Sequence, residues 1–162
     1  MAHYILMALV MGVGATALLD LWALLLNRLF GFGLPNWALV GRWALHLPFG
    51  RIMHDDIQLS RPFPNELAAG WLFHYFVGIC FAVATLAIGG IAWATKPTWP
   101  LPIFIGLITV GFGWFVLQPG LGNGYAASKK PDRTRIRILN ILGHIVFGLG
   151  LWGAALLYTR QF

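Results

Sequence analysis

The chain has 162 residues, of which 59% are hydrophobic and only 10% are charged, whereas a soluble domain carries about 25% charged residues. This composition excludes an ordinary soluble fold, because a chain of this length cannot bury so much apolar surface in one core. The net charge of +6 does not indicate a nucleic-acid partner, because the basic residues flank apolar segments and form no basic helix.

Four apolar windows predict membrane-spanning helices, because each supplies the ~20 residues needed to cross the hydrocarbon core of a lipid bilayer. In chain order they cover about residues 4–29, 67–93, 100–118 and 138–158. None shows the alternation of apolar and polar residues that is typical of a barrel strand. The expected fold class is all-α, a four-helix transmembrane bundle that forms a single integral membrane domain over residues 1–162.

The long connection between the first two windows contains a short amphipathic segment. It runs from Asn36 to His46 and carries two tryptophans, Trp37 and Trp43. Asparagine is a preferred residue at the start of a helix. The segment therefore predicts a short interfacial helix that lies on the membrane in the first cytoplasmic loop.

Lysine and arginine are distributed unequally between the two sides of the predicted bundle. The first and third connections, with the adjoining helix ends, hold nine of them: Arg28, Arg42, Arg51, Arg61, Lys129, Lys130, Arg133, Arg135 and Arg137. The opposite side holds only Lys96 and Arg160. The positive-inside rule therefore places both connections in the cytoplasm and predicts that both termini are periplasmic.

Asp20, His74 and His144 are the ionisable residues deep inside the predicted spans, where a charged side chain costs about 2.5–3.5 kcal/mol. Each lies seven or eight residues from a charged residue at the cytoplasmic end of its helix, hence roughly 10–12 Å inside that end. Small residues occupy the same helix faces at four-residue spacing, which lets membrane helices approach closely. We therefore expect the three side chains to meet inside the bundle.

Two imidazoles and a carboxylate are common ligands of first-row transition metals. Asp20, His74 and His144 therefore form a candidate metal or haem site, and Glu66, His46 and His54 lie near it in the first connection. The same three residues could instead relay protons or handle a substrate. A purely structural role, with hydrogen bonds that lock the bundle, is a further alternative.

Three functions stay open at this stage. The chain could be a metal- or haem-binding membrane protein, a small transporter or proton-coupled permease component, or a non-catalytic subunit or assembly factor of a larger membrane complex. Four helices are few for a carrier, so the transporter interpretation predicts a homo-oligomer. The sequence does not decide whether the protein is an enzyme.

A glycine-rich turn over residues 120–124 leads into a basic segment. Glycine lets backbone amides converge on an anion, and basic residues beside a span attract anionic lipid headgroups. Lys129, Lys130 and Arg133 are therefore candidate ligands for a lipid phosphate.

Several segments, in this order, resemble a known family. They are Gly14-Ala15-Thr16 with Asp20-Leu21-Trp22, Pro35-Asn36-Trp37 with Val40-Gly41-Arg42-Trp43, His46 with His54, Gly70-Trp71 with His74-Tyr75, Gln118-Pro119-Gly120 with Gly122, Ala126-Ala127-Ser128, and His144 with Phe147-Gly148. This combination resembles the DUF2938 family of small bacterial membrane proteins of unknown function. The resemblance implies a location in the bacterial inner membrane and assigns no chemistry to any residue.

Overall fold

The computed structural model describes residues 2–161, and within this range the chain contains helices and no strand. The predicted all-α fold is therefore confirmed. Four helices are long and apolar enough to cross a membrane, and a fifth is short. We number them in chain order: α1 Ala2–Phe30, α2 Trp37–His46, α3 Glu66–Thr95, α4 Pro100–Gly120 and α5 Arg133–Gln161.

Helix α2 is the predicted short amphipathic helix. Its N-cap is Asn36, whose side-chain oxygen accepts a hydrogen bond from the backbone N–H of Leu39 at 3.2 Å. This bond satisfies one of the amide groups that the first helical turn leaves without a partner. Trp43 and His46 are buried on the inner face of α2.

The end of α4 differs from the sequence-based expectation. The third window was predicted to end at about residue 118, because proline disfavours a continuing helix, yet the helix continues past Pro119 to Gly120 after a π turn over Gly113–Leu117. A proline ring presses against the carbonyl group one turn earlier, and a wider π turn in that place gives the ring more room.

Residues 2–161 fall into two compact units. Unit one contains residues 2–34, 75–109 and 142–161, and unit two contains residues 35–74 and 110–141. Each unit takes segments from distant parts of the sequence. The predicted single domain over residues 1–162 stays a prediction.

Glycine brings the helices of unit one close together. The contacts join Gly12 of α1 to Ile79 of α3, Gly150 of α5 to Ala15 of α1, and Gly148 of α5 to Pro102 of α4. At each of these glycines, a Cβ atom would lie 2.5–2.7 Å from a backbone atom of the neighbouring helix. Such close approaches between helices are typical of membrane proteins.

Unit two is built where α2 crosses the first turns of α3. Gly41 and Gly70 bring the two backbones together, because a Cβ at Gly41 would overlap the carbonyl oxygen of Glu66 and one at Gly70 that of Trp37. Trp43 is 1% exposed, and its indole N–H donates to the carbonyl of Ile52 at 2.8 Å. Unit two therefore holds an irregular loop against two helices.

Candidate functional sites in the two units

Asp20 is paired with a tyrosine inside unit one. The hydroxyl of Tyr75, on α3, donates a hydrogen bond to Oδ2 of Asp20, on α1, over 3.0 Å. One turn away, Thr16 is 1% exposed and packs directly on Gly78. Because Gly78 has no side chain, α1 and α3 approach closely enough for the carboxylate and the phenol to meet.

His144 is held by α4, also in unit one. Its Nδ1 lies 2.8 Å from the hydroxyl oxygen of Thr109 and 3.1 Å from the carbonyl oxygen of Gly106. The Thr109 hydroxyl donates to the same carbonyl at 2.7 Å. Because a carbonyl oxygen only accepts, the geometry favours the tautomer with a proton on Nδ1, which leaves Nε2 for another contact.

Asp20 and His144 lie at neighbouring heights along unit one. Gly143 packs against the side chain of Leu19, at a distance of 3.2 Å from the position of a Cβ atom. These two residues directly adjoin His144 and Asp20 in the sequence. Unit one therefore carries a carboxylate, a phenol and an imidazole at about the same depth in its helices.

His74 belongs to unit two and lies among aromatic rings. It stacks on Trp37, with ring centroids 3.9 Å apart and planes inclined by 27°. The ring of Trp71 lies 6.1 Å away. Trp37 is the first residue of α2, so this stack ties the amphipathic helix to α3.

Glu66 forms an ion pair with Arg42. The Nε and Nη2 atoms of Arg42 donate to the two carboxylate oxygens at 2.7 and 3.0 Å. The side chains are only 16% and 11% exposed. The hydrogen bond with Glu66 raises the pKa of Arg42 above its usual value, so the guanidinium stays charged.

The same guanidinium also holds the loop that follows α2 in place. Its Nη1 atom lies within hydrogen-bonding distance of three carbonyl oxygens, at 3.3, 3.0 and 3.4 Å, which belong to Ile57, Gln58 and Ser60. The carboxylate of Glu66 in turn accepts the backbone N–H of Phe63 at 2.7 Å. One ion pair thus fixes the irregular backbone between α2 and α3.

The rings of His46 and His54 meet in unit two, with centroids 5.0 Å apart. The Nδ1 atom of His46 lies 2.9 Å from the carbonyl oxygen of Arg42. The Nδ1 atom of His54 lies 2.9 Å from the carbonyl oxygen of Gly120, which brings the loop after α2 to the end of α4.

The three residues predicted to bind lipid phosphate are exposed. Lys129, Lys130 and Arg133 lie in the turn before α5 and at its first residue. Beside them, the guanidinium of Arg135 pairs with the carboxylate of Asp132, and its hydrogen bond lowers the pKa of Asp132 below the usual range.

The six predicted metal candidates divide between the units. Asp20 and His144 belong to unit one, whereas Glu66, His46, His54 and His74 belong to unit two. Of the pairs inside one unit, His46 and His54 have their rings together. Within residues 2–161, no group of three or more histidine, cysteine, aspartate or glutamate residues is placed to hold one metal ion. A metal or haem site at Asp20, His74 and His144 stays a prediction.

Sequence reasoning missed three polar partners, namely Tyr75, Thr109 and Arg42. Thr109 is the one hydroxyl residue in the window 100–118, and that isolation was a usable signal. The sequence held no such signal for Tyr75 or Arg42, because tyrosine is common near membrane surfaces and arginine is common in loops.

Comparison of the chain with curated proteins and with solved structures found no match. A family model, described as "Protein of unknown function (DUF2938)", matches residues 9–158. Because that match covers nearly the whole chain, the protein belongs to the DUF2938 family.

Proposed function

We propose that this protein is a small proton-handling membrane protein, a component of a proton-coupled permease. The observation that carries the proposal is the hydrogen bond from Tyr75 to the carboxylate of Asp20, between two candidate spans. A carboxylate is costly inside a span, and ionisable groups in that position commonly serve proton or ion pathways.

The surroundings of Asp20 supply further groups that exchange protons. His144 lies at a neighbouring height, and its Nδ1 is bonded to Thr109 and Gly106, so its Nε2 faces away from these oxygens. Carboxylate, phenol, imidazole and hydroxyl groups at one depth are the components of a proton relay. Since four spans make a small carrier, we propose that the working form is a homo-oligomer.

The proposed location is the bacterial inner membrane, with both termini in the periplasm. The excess of lysine and arginine in the first and third connections supports this orientation, because cytoplasmic loops retain such residues. The exposed Lys129, Lys130 and Arg133 would then face the anionic lipid headgroups of the cytoplasmic leaflet.

The test is a proton-flux assay in proteoliposomes that contain the full chain and a pH-sensitive dye, with a potassium diffusion potential as the driving force. Asp20→Asn keeps the size of the side chain and an oxygen for Tyr75, but it cannot exchange the carboxyl proton. We expect flux to fall at least about 100-fold, the lower end of what a positioned acid or base contributes.

Asp55→Asn is the matched control, because Asp55 is exposed in the loop of unit two. Equal thermal stability of the two variants and the parent would show that folding is intact. Flux in Asp20→Asn equal to that of the parent protein would reject the proposal.

A metal or haem site at Asp20 and His144 of unit one, two of the three residues predicted from the sequence, is a second candidate. One observation favours it: Nδ1 of His144 is bonded to protein oxygens, as is usual for an imidazole that binds a metal through its other nitrogen. Elemental analysis and an absorption spectrum of gently extracted protein test it, and the absence of a stoichiometric metal or chromophore would reject it. A role as subunit or assembly factor would instead appear as co-purification with a larger partner.

A further inference from the structure

His54 has one satisfied ring nitrogen and one unsatisfied ring nitrogen. Its Nδ1 lies 2.9 Å from the carbonyl oxygen of Gly120, and since a carbonyl only accepts, Nδ1 carries the proton. Nε2 then holds a lone pair. That atom is buried and has no hydrogen-bond partner within the part of the chain that the structure describes. Buried polar atoms without a partner are rare and require an explanation.

His46 lies beside it, and its Nδ1 is held in the same way by a backbone carbonyl. Its side chain is 3% exposed, and its Nδ1 lies 2.9 Å from the carbonyl oxygen of Arg42. By the same argument its Nδ1 is the protonated nitrogen and its Nε2 is the acceptor. The two rings are 5.0 Å apart at an angle of 73°.

We propose that His46 and His54 bind a first-row divalent transition-metal ion through their Nε2 atoms. Imidazoles that bind metals usually donate their other N–H to a backbone carbonyl or carboxylate, which fixes the tautomer and the ring orientation. Both rings here have that arrangement. Two imidazoles at the usual metal–nitrogen distance of about 2.0–2.1 Å and a tetrahedral angle have their centroids ~5 Å apart, which agrees with the observed spacing.

The surroundings leave the two histidines as the protein ligands. The nearby carboxylate of Glu66 is occupied on both oxygens by Arg42. The ring of Phe63 meets His46 edge-on at 4.9 Å and gives the site an apolar wall. In the proposed site, water or an exchangeable ligand would fill the remaining coordination positions, which is typical of a metal site that does more than hold the fold.

This site is independent of the proton relay, because it lies in unit two and uses neither Asp20 nor His144. Among divalent ions of the series, imidazole sites bind Cu²⁺ most tightly, so Cu²⁺ is the probe. Full-length protein without a polyhistidine tag is titrated with Cu²⁺ in lipid nanodiscs. A His3→Ala background removes the histidine near the amino terminus.

We expect one Cu²⁺ per chain and an electron paramagnetic resonance spectrum with coupling to two imidazole nitrogens. His46→Ala and His54→Ala should each weaken binding at least about tenfold, since even loss of a supporting residue around a metal costs 10–100-fold. His144→Ala is the matched control and should bind as the parent does. It also separates this site from the second candidate in unit one.

The spectrum of the His3→Ala background tests the proposed metal site even if a histidine variant fails to fold. Coupling to fewer than two imidazole nitrogens, or the absence of stoichiometric Cu²⁺, would overturn the proposal. So would Cu²⁺ affinity that folded His46→Ala and His54→Ala variants leave unchanged.

Discussion

The two units satisfy their polar side chains in different ways. In unit one, Asp20 bonds to the side chain of Tyr75, and His144 bonds to the side chain of Thr109 as well as to the carbonyl of Gly106. In unit two, His46 and His54 bond to backbone carbonyls, and Arg42 bonds to carbonyls of the loop as well as to Glu66. Inside a span the helix uses most of its own backbone groups, so Asp20 depends on a side chain of the neighbouring helix. An irregular segment has backbone carbonyls that no helical N–H group bonds, and cationic or N–H-bearing side chains can donate hydrogen bonds to them.

This comparison predicts that the largest loss of stability comes from unit two. Arg42→Met removes a guanidinium that is bonded to a carboxylate and to three loop carbonyls, and it leaves Glu66 charged and mostly buried. Breaking one partner of a buried ion pair costs about 3–5 kcal/mol. We expect a loss of that size in the free energy of unfolding, measured by denaturant titration in mild detergent.

Arg42→Met/Glu66→Gln is the control for this prediction. With the carboxylate neutralised, the double variant should regain part of the stability, because no uncompensated charge remains. If the single variant is as stable as the parent, backbone carbonyls and this ion pair do not hold unit two together.

Unit one should be sensitive to packing rather than to charge. At Gly148 a Cβ would lie 2.7 Å from the carbonyl oxygen of Pro102 and 2.9 Å from the Cα of Ile103, whereas at Gly153, on the same helix, nothing lies within 4 Å. Gly148→Ala should therefore destabilise the protein by about 1–3 kcal/mol, the usual cost of overpacking. Gly153→Ala should be neutral or slightly stabilising, since alanine favours helix.

The same denaturant titration compares these two variants. Equal stability of Gly148→Ala and Gly153→Ala would mean that the free energy of unfolding does not depend on close contact between α4 and α5. A loss confined to Gly148→Ala would show that the small residues of unit one set the spacing at which His144 reaches Thr109.

The sequence was sufficient to predict the helices, but it was insufficient to predict which polar side chains bond to one another. Apolar windows predicted the four spans, and Asn36 with its two tryptophans predicted α2, because these signals are local. Arg42 and Glu66 are 24 residues apart, and no periodicity relates them. His46 and His54 meet only because the loop between them folds back, held by Trp43 and by Gly120.

The cost of burying charge identified Asp20, His74 and His144 as residues that need partners, but it did not say which partners. That Tyr75 bonds to Asp20 and Thr109 bonds to His144 follows only from the close approach of α1 to α3 and of α4 to α5. That approach depends on glycines such as Gly78 and Gly106, whose contacts arise from tertiary packing.

The smallest effect is expected from the second ion pair of unit two, Asp132 with Arg135. Its side chains are 39% and 58% exposed, so water already solvates both charges and the pair adds little. Asp132→Asn should leave the midpoint of thermal unfolding unchanged within error at neutral pH.

The pH dependence should be equally weak. The hydrogen bond from Arg135 lowers the pKa of Asp132, so whatever the pair contributes is present at neutral pH and is lost as the pH falls through that lowered pKa. Unfolding curves of Asp132→Asn and the parent should therefore overlap from neutral to mildly acidic pH. A loss as large as that of Arg42→Met would contradict the comparison, because two pairs of the same chemistry would then be equally stabilising despite their different burial.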